Sequence, residues 1–220
     1  RATGEVLSAD PYAFVSTSRG VDRDSGELRY AGDELPAVGR VRRDSCPGSA
    51  GAKNWQPSAW SPRTRLLYVP TQDLCEDTEF FAASHIPGTP YLGAESEMHA
   101  RAGAARGGFL AWDPVRRRKA WWLPERFPVW SGALATAGDV VFYGTMDGWS
   151  KAVDAHDGYE LWKFRTASGI VGQPVSYRGG DGRQYVAVLA GVGGWAGLVV
   201  ANDLDPRDGT AAGGFVNAMK

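Results

Sequence analysis

One spacing repeats in this chain and constrains its fold more than any other feature. Ala111-Trp112-Asp113 is followed by Trp121, and Ala152-Val153-Asp154 is followed by Trp162. Both copies read A-x-D-x7-W, and they lie 41 residues apart, from Ala111 to Ala152. The second copy adds Gly158, four residues after its Asp. Asp22-Arg23-Asp24-Ser25-Gly26 repeats the D-x3-G spacing with Tyr30 in the Trp position. Arg1-Ala2-Thr3-Gly4-Glu5 keeps the same phase if an Asp preceded Arg1. A period of this size marks a repeat architecture in which each unit covers the next.

Hairpins recur beside the motif. Pro57 to Trp60 leads through Ser61-Pro62-Arg63-Thr64 into Leu66 to Val69. Gly132 to Thr136 leads through Ala137-Gly138-Asp139 into Val140 to Tyr143, and Gln173 to Tyr177 leads through Gly179 to Gly182 into Tyr185 to Val188. Asp147-Gly148 then turns into Ser150 to Asp154, and Glu160 to Phe164 follows as another strand. Turn residues between β-branched and aromatic runs predict antiparallel pairs. Four strands in about 40 residues make one propeller blade. Ala and Trp at fixed offsets then supply inter-blade packing, a small residue beside a large flat one.

The 29 Gly and 13 Pro fit this turn-rich, all-β reading. About three four-stranded blades are expected, which is too few to close a ring. Exposed end faces would be large apolar patches, so the chain is read as an excerpt of a longer propeller. Blade segments are placed at about 1–75, 109–165 and 166–200, with a tail at 201–220. Residues 76–108, with Pro87-Gly88-Thr89-Pro90 and no periodicity, are expected to form a long insertion loop.

Charge narrows the function. The chain holds 24 basic and 25 acidic residues, a net charge of -1, which excludes a nucleic-acid arm or polybasic membrane patch as its main device. No run of about 18 apolar residues exists to span a membrane. The start at Arg1 is neither a Met nor a signal peptide, so a processed product or fragment is expected. Cys46 and Cys75 with three His cannot assemble a four-ligand zinc site. The cysteines admit two readings: buried thiols, or a bridge closing a hairpin-like segment. The bridge would imply an oxidising compartment and stabilise by about 3–4 kcal/mol.

At these residues the sequence resembles the pyrroloquinoline quinone (PQQ)-dependent methanol and ethanol dehydrogenases. The repeat is that family's tryptophan-docking motif. The stretches at Cys46–Trp60 (CPGSAGAKNWQPSAW), Val129–Thr145 (VWSGALATAGDVVFYGT) and Val186–Gly197 (VAVLAGVGGWAG) resemble its C-terminal third. The tail from Asp203, with Asp205-Pro206-Arg207-Asp208-Gly209-Thr210, is most similar to the lanthanide-dependent methanol dehydrogenase branch. The resemblance implies an eight-bladed propeller, of which this chain supplies an incomplete ring. PQQ would lie on its axis above a Ca2+ or lanthanide(III) ion. The family's metal ligands, Asp base and vicinal disulfide are expected outside this chain, so no catalytic or metal residue is assigned within it.

The same resemblance nominates cofactor-binding residues. Trp130 is expected as the indole platform under the quinone ring, and Asn54 as a hydrogen-bonding amide at its polar rim. Trp55 is expected to line the site, while Gly194 and Trp195 would contact the PQQ carboxylates. Gly191 to Ala196 formally satisfies G-x-G-x-x-A. A dinucleotide site needs a helix there and an acid about 20 residues on. Leu198-Val199-Val200 and then Phe215 follow, so that reading is rejected.

Arg116-Arg117-Arg118-Lys119 reads as a solvated turn where the family usually carries a T-G pair. A docking patch for an acidic cytochrome is the lesser alternative. His85, His99 and His156 are expected in surface loops or turns. Asp203, Asp205 and Asp208 lack the Gly and terminal Glu of a calcium loop.

The implied parent is a periplasmic dehydrogenase that oxidises a small primary alcohol, passes electrons to a c-type cytochrome and forms a homodimer. The competing class is a cofactor-free propeller scaffold with the same repeats. A secreted carbohydrate-binding propeller has only the aromatic surplus behind it.

Overall fold

The computed structural model describes residues 2–32, 35–89, 91–200 and 215–219, the last five and residues 198–200 by backbone alone. The chain divides into two compact units, Arg1–Ala52 with Asp73–Ala104, and Lys53–Gln72 with Ala105–Lys220.

In the first unit β1 (Ser18–Val21) and β2 (Leu28–Tyr30) form an antiparallel hairpin. Its turn is the D-x3-G segment. Gly26 N–H donates to Asp22 O (2.8 Å), and the Asp22 carboxylate accepts the N–H groups of Asp24 and Ser25. A three-stranded sheet follows, in which β3 (Val41–Ser45) and β7 (Ala94–Ala100) flank β6 (Leu74–Phe80). The Cys46–Cys75 disulfide ties the end of β3 to β6, with Cα atoms 4.4 Å apart. Beside it the buried Glu76 accepts from Ser49 N (2.8 Å) and Ser49 Oγ (2.9 Å).

The stretch expected as an insertion loop is corrected here. The β6–β7 hairpin pairs Leu74 with Ala100 through Phe80 with Ala94, and only its tip is irregular. The signal was missed because this hairpin carries carboxylates where apolar alternation would mark a strand. Asp77 faces Glu97, and Glu79 faces Glu95.

The second unit holds two four-stranded antiparallel meanders. β4 (Ala59–Ser61), β5 (Leu66–Gln72), β8 (Gly107–Asp113) and β9 (Arg118–Glu125) form the first. The second consists of β10 (Leu134–Ala135), β11 (Val140–Gly144), β12 (Trp149–Asp154) and β13 (Glu160–Arg165). β14 (Val175–Arg178), β15 (Gln184–Ala190) and β16 (Phe215–Met219) make a three-stranded sheet. β16 lies inside the segment set apart as a tail; Asp203, Asp205 and Asp208 fall outside the described residues.

Inward alternation of the two meanders builds one core, with Tyr68, Phe109 and Ala111 from one and Val141, Tyr143 and Val153 from the other. Phe109 stacks on Tyr143 with centroids 4.1 Å apart. Burying each of the larger of these side chains contributes about 1.5–3 kcal/mol. One charged group crosses the same packing. Glu125 accepts both Tyr143 OH and Lys151 Nζ at 2.7 Å, and burial with the Glu125 charge pushes the Tyr143 hydroxyl far above its usual range.

Gly194–Val200 forms a short helix, α1, where the sequence reading takes Leu198-Val199-Val200 as arguing against a helix. The dinucleotide reading still fails. β15 sits between antiparallel partners, without a βαβ crossover, and no acid follows at the required distance. No helix among the described residues is long and apolar enough to cross a membrane.

Candidate functional site

The segments that lead into the first strands of the three sheets in the second unit meet. Ala133 N–H donates to Pro57 O at 2.9 Å, joining the approach to β10 with that to β4. A Cβ on Gly132 would stand 2.9 Å from both Pro57 Cδ and Gln173 Cγ, so only glycine allows this approach. Gly144 N–H donates to Ser131 Oγ (2.7 Å), and Val129 N–H donates to Thr71 O (3.1 Å). Trp130 is therefore clamped on both sides along the chain.

Around it the nominated indoles gather. The Trp55 ring lies 4.8 Å from Trp130, centroid to centroid, at a 36° tilt. Trp195 meets Trp130 edge-on at 5.5 Å. Asn54 is exposed beside Trp55, and its Oδ1 accepts Trp55 N–H at 2.9 Å. Gly193 and Gly194 have open space where a side chain would be, and Gly194 adopts φ +59°. Lys53 Nζ donates to Asn54 O (3.0 Å), and burial pulls its ammonium below the usual lysine range. Asn54, Trp55, Trp130, Gly194 and Trp195 thus come to one place.

Their exposure differs. Trp130 is wholly buried, so it presents no free face as a platform. Trp55 (54% exposed) and Trp195 (40%) carry the accessible ring surface, with Trp130 packed beneath. The reason is local: Trp130 follows the buried Val129 and precedes Ser131 and Gly132, all drawn into the sheet junction. Trp55 sits on an irregular turn and Trp195 at the start of α1. Gln56 was not singled out by sequence, because its position between Trp55 and Pro57 matches no pattern. It is fully buried, and its Oε1 accepts Asn54 N–H at 2.8 Å.

His85 and His156 occupy the expected loops and turns, but His99 lies on β7 in the first unit. Asp44, Asp77 and His99 place one ligand-type atom each within 4.8 Å of one another. His99 Nε2 is 3.2 Å from Asp77 Oδ1, while Arg43 already donates to Asp77 Oδ2 at 2.8 Å. The Asp44 N–H holds the Asp77 carboxyl below its usual range, with help from His99 and Arg43. Burial works against charge on His99, yet hydrogen bonding to Asp77 raises it above its ordinary value. The group is a charge-paired staple across β3, β6 and β7.

Comparison with known proteins bears on the fold and the family. The family model for the β-propeller domain of glucose, ethanol and alcohol dehydrogenases (PQQ) matches residues 111–186. The lanthanide-dependent methanol dehydrogenase of Methylorubrum extorquens is 45% identical over 231 residues, covering 100% of this chain and 38% of the relative. Quinoprotein ethanol dehydrogenase of Pseudomonas aeruginosa is 42% identical over 208 residues, covering 90% of this chain and 33% of the relative. A solved europium-containing methanol dehydrogenase superposes with a TM-score of 0.91 at 37% identity, covering 99% of this chain and 42% of that one.

The fold is that of a quinoprotein β-propeller, nearly all-β and built of antiparallel sheets. Within that class the chain is similar to the PQQ-dependent methanol and ethanol dehydrogenases, the lanthanide-dependent branch among them. It spans between 33% and 38% of the length of these relatives.

Proposed function

We propose that this chain forms one side of the PQQ pocket of a periplasmic alcohol dehydrogenase. The substrate is a small primary alcohol, methanol first among them, and the product is the aldehyde. The observation that carries the reading is the meeting of Trp55, Trp130 and Trp195 beside the open backbone of Gly193 and Gly194. Residues needed only for sheet packing have no reason to gather two half-exposed indoles at a sheet junction. That favours the dehydrogenase over a cofactor-free scaffold.

The site suits a flat, acidic quinone. Two accessible indole faces match its ring, and the buried Trp130 Nε1–H, which has no partner among the described residues, matches an acceptor on its edge. Asn54 and the Gly194 backbone would hold the polar rim, and the Lys53 ammonium adds positive charge nearby. Bound there, PQQ supplies the two-electron acceptor for alcohol oxidation. This chain's residues orient the ring and exclude water. The lanthanide(III) or Ca2+ ion would take its ligands, and the reaction its base, from the rest of the enzyme. Electrons would leave to a c-type cytochrome, and the enzyme would be a homodimer. The Cys46–Cys75 bridge supports an oxidising compartment.

The test uses the complete reading frame that contains this sequence. We expect it to encode adjacent cysteines and the Glu, Asn and Asp metal ligands. Purified with PQQ and a lanthanide or Ca2+, that protein is expected to oxidise methanol with a dye acceptor. A frame without those residues, or a protein that retains no quinone absorbance after gel filtration, overturns the proposal. The 220-residue chain alone is expected to retain none.

A further inference from the structure

Gln56, Gln72 and Trp130 are fully buried, and each has side-chain atoms with no hydrogen-bond partner among the described residues. Buried polar groups are seldom left unpaired, so such atoms mark where something else completes the structure. The shortfall is uneven. Gln56 Nε2, Gln72 Nε2 and Trp130 Nε1 are donors, and only Gln72 Oε1 is an acceptor. Gln72 lacks partners for a donor and an acceptor alike, a balance that one water, which both donates and accepts, would meet. Gln56 and Trp130 lack acceptors alone.

Gln56 is also oriented. Its Oε1 is identified by the Asn54 N–H that donates to it at 2.8 Å, which turns Nε2 away from that contact. The residue between the two, Trp55, is the one whose ring packs on Trp130 at 4.8 Å. Two unpaired donors therefore belong to this neighbourhood, one on the side chain that follows Trp55 and one on Trp130, against which Trp55 packs.

We propose that Gln56 is a further ligand-binding residue of this site. Its Oε1 holds the Asn54-Trp55 turn, and its Nε2 donates to an oxygen on the rim of a planar, acceptor-rich ligand. The inference rests on reading the site as a PQQ pocket, whose carboxylate and quinone oxygens are such acceptors.

The decisive variant is Gln56→Glu, made in the complete dehydrogenase and freed of cofactor. It keeps an oxygen for the Asn54 N–H and replaces the donor with a second, negative oxygen. PQQ is titrated in while indole fluorescence quenching is followed, and retained quinone absorbance is measured after gel filtration. We expect PQQ to bind at least about tenfold more weakly than to wild type, the penalty of an unmatched buried group. If Gln56→Glu does not fold, Gln56→Met keeps the volume without the donor and is expected to show the same weakening. Either folded variant binding PQQ within about twofold of wild type overturns the role of Gln56 (about 0.4 kcal/mol). A wild-type protein that retains no quinone instead overturns the pocket reading, so the two failures are distinct.

Discussion

The two copies of the A-x-D-x7-W repeat share a spacing but not a fate. In the first copy Trp121 packs beside Tyr68 and Phe109, with centroids 5.8 and 6.0 Å away, and donates Nε1–H to Ala155 O at 3.2 Å. That carbonyl and Gly158 belong to the turn of the second copy. In the second copy Trp162 is 40% exposed, and among the described residues it stacks only on Phe164, two residues on. With Leu161, Phe142 and Val186 it lines an apolar cavity of about 540 Å3. The motif therefore sets where an indole stands on its strand, and the turn of the following sheet decides how far it is covered. A repeat architecture pays for each interface only when the neighbour is there.

The widest gap between the copies should appear on truncating the indoles. Trp121→Ala is expected to destabilise by about 2–3 kcal/mol, because its ring is partly buried against the core, and Trp162→Ala by about 1 kcal/mol or less. Urea denaturation of the two variants measures the difference; equal losses would break the comparison.

The turn that receives Trp121 gives the next effect. A Cβ at Gly158 (φ +78°) would lie 2.9 Å from Trp121 Cδ2, whereas Gly26 holds the same turn at φ +76° with open space around it. Gly158→Ala should cost about 2–3 kcal/mol, combining backbone strain with the clash, while Gly26→Ala should cost about 1 kcal/mol from strain alone. Thermal melts of both variants test whether docking, and not the turn itself, makes Gly158 special.

A smaller change has the opposite sign. Arg117 occupies the glycine position of the first copy in the left-handed region, at φ 56°. Arg117→Gly relieves that strain against a larger unfolded-state entropy, so a gain of about 0.5–1 kcal/mol is expected in the same assay.

The smallest effect lies in pH. The backbone N–H of Arg116, then its guanidinium, hold the Asp113 carboxyl below the usual carboxylate range. A depressed folded-state value means the contribution is present above the unfolded pKa near 4 and is lost as pH falls through the folded one. Asp113→Asn should flatten the acid side of the melting-temperature profile between about pH 5 and 2.5. A profile parallel to wild type would show that the carboxylate adds nothing.

Much of this was legible beforehand, and the misses have causes. The hairpins at Ala59–Gln72, Leu134–Gly144 and Val175–Ala190 stand where alternation and turn residues placed them. The β6–β7 hairpin escaped because Asp77, Glu79, Glu95 and Glu97 replace the apolar alternation that marks a strand. The helix at Gly194 escaped because Leu198-Val199-Val200 carries β propensity, which one short turn of structure overrides. Asn54, Trp55, Trp130, Gly194 and Trp195 were named by likeness to a family. Gln56 was invisible because its significance lies in an unpaired amide, which no spacing encodes.

Local chemistry determined the strands that alternate, their turns and the positions of the indoles. A D-x3-G turn or an alternating run acts over a few residues, and its signal is written where it acts. Tertiary structure decided which indole became a covered wall and which stayed open. It also decided that Trp130 lies beneath Trp55 and that Gln56 was left with a donor to satisfy. Burial and pairing depend on what approaches from elsewhere in the chain.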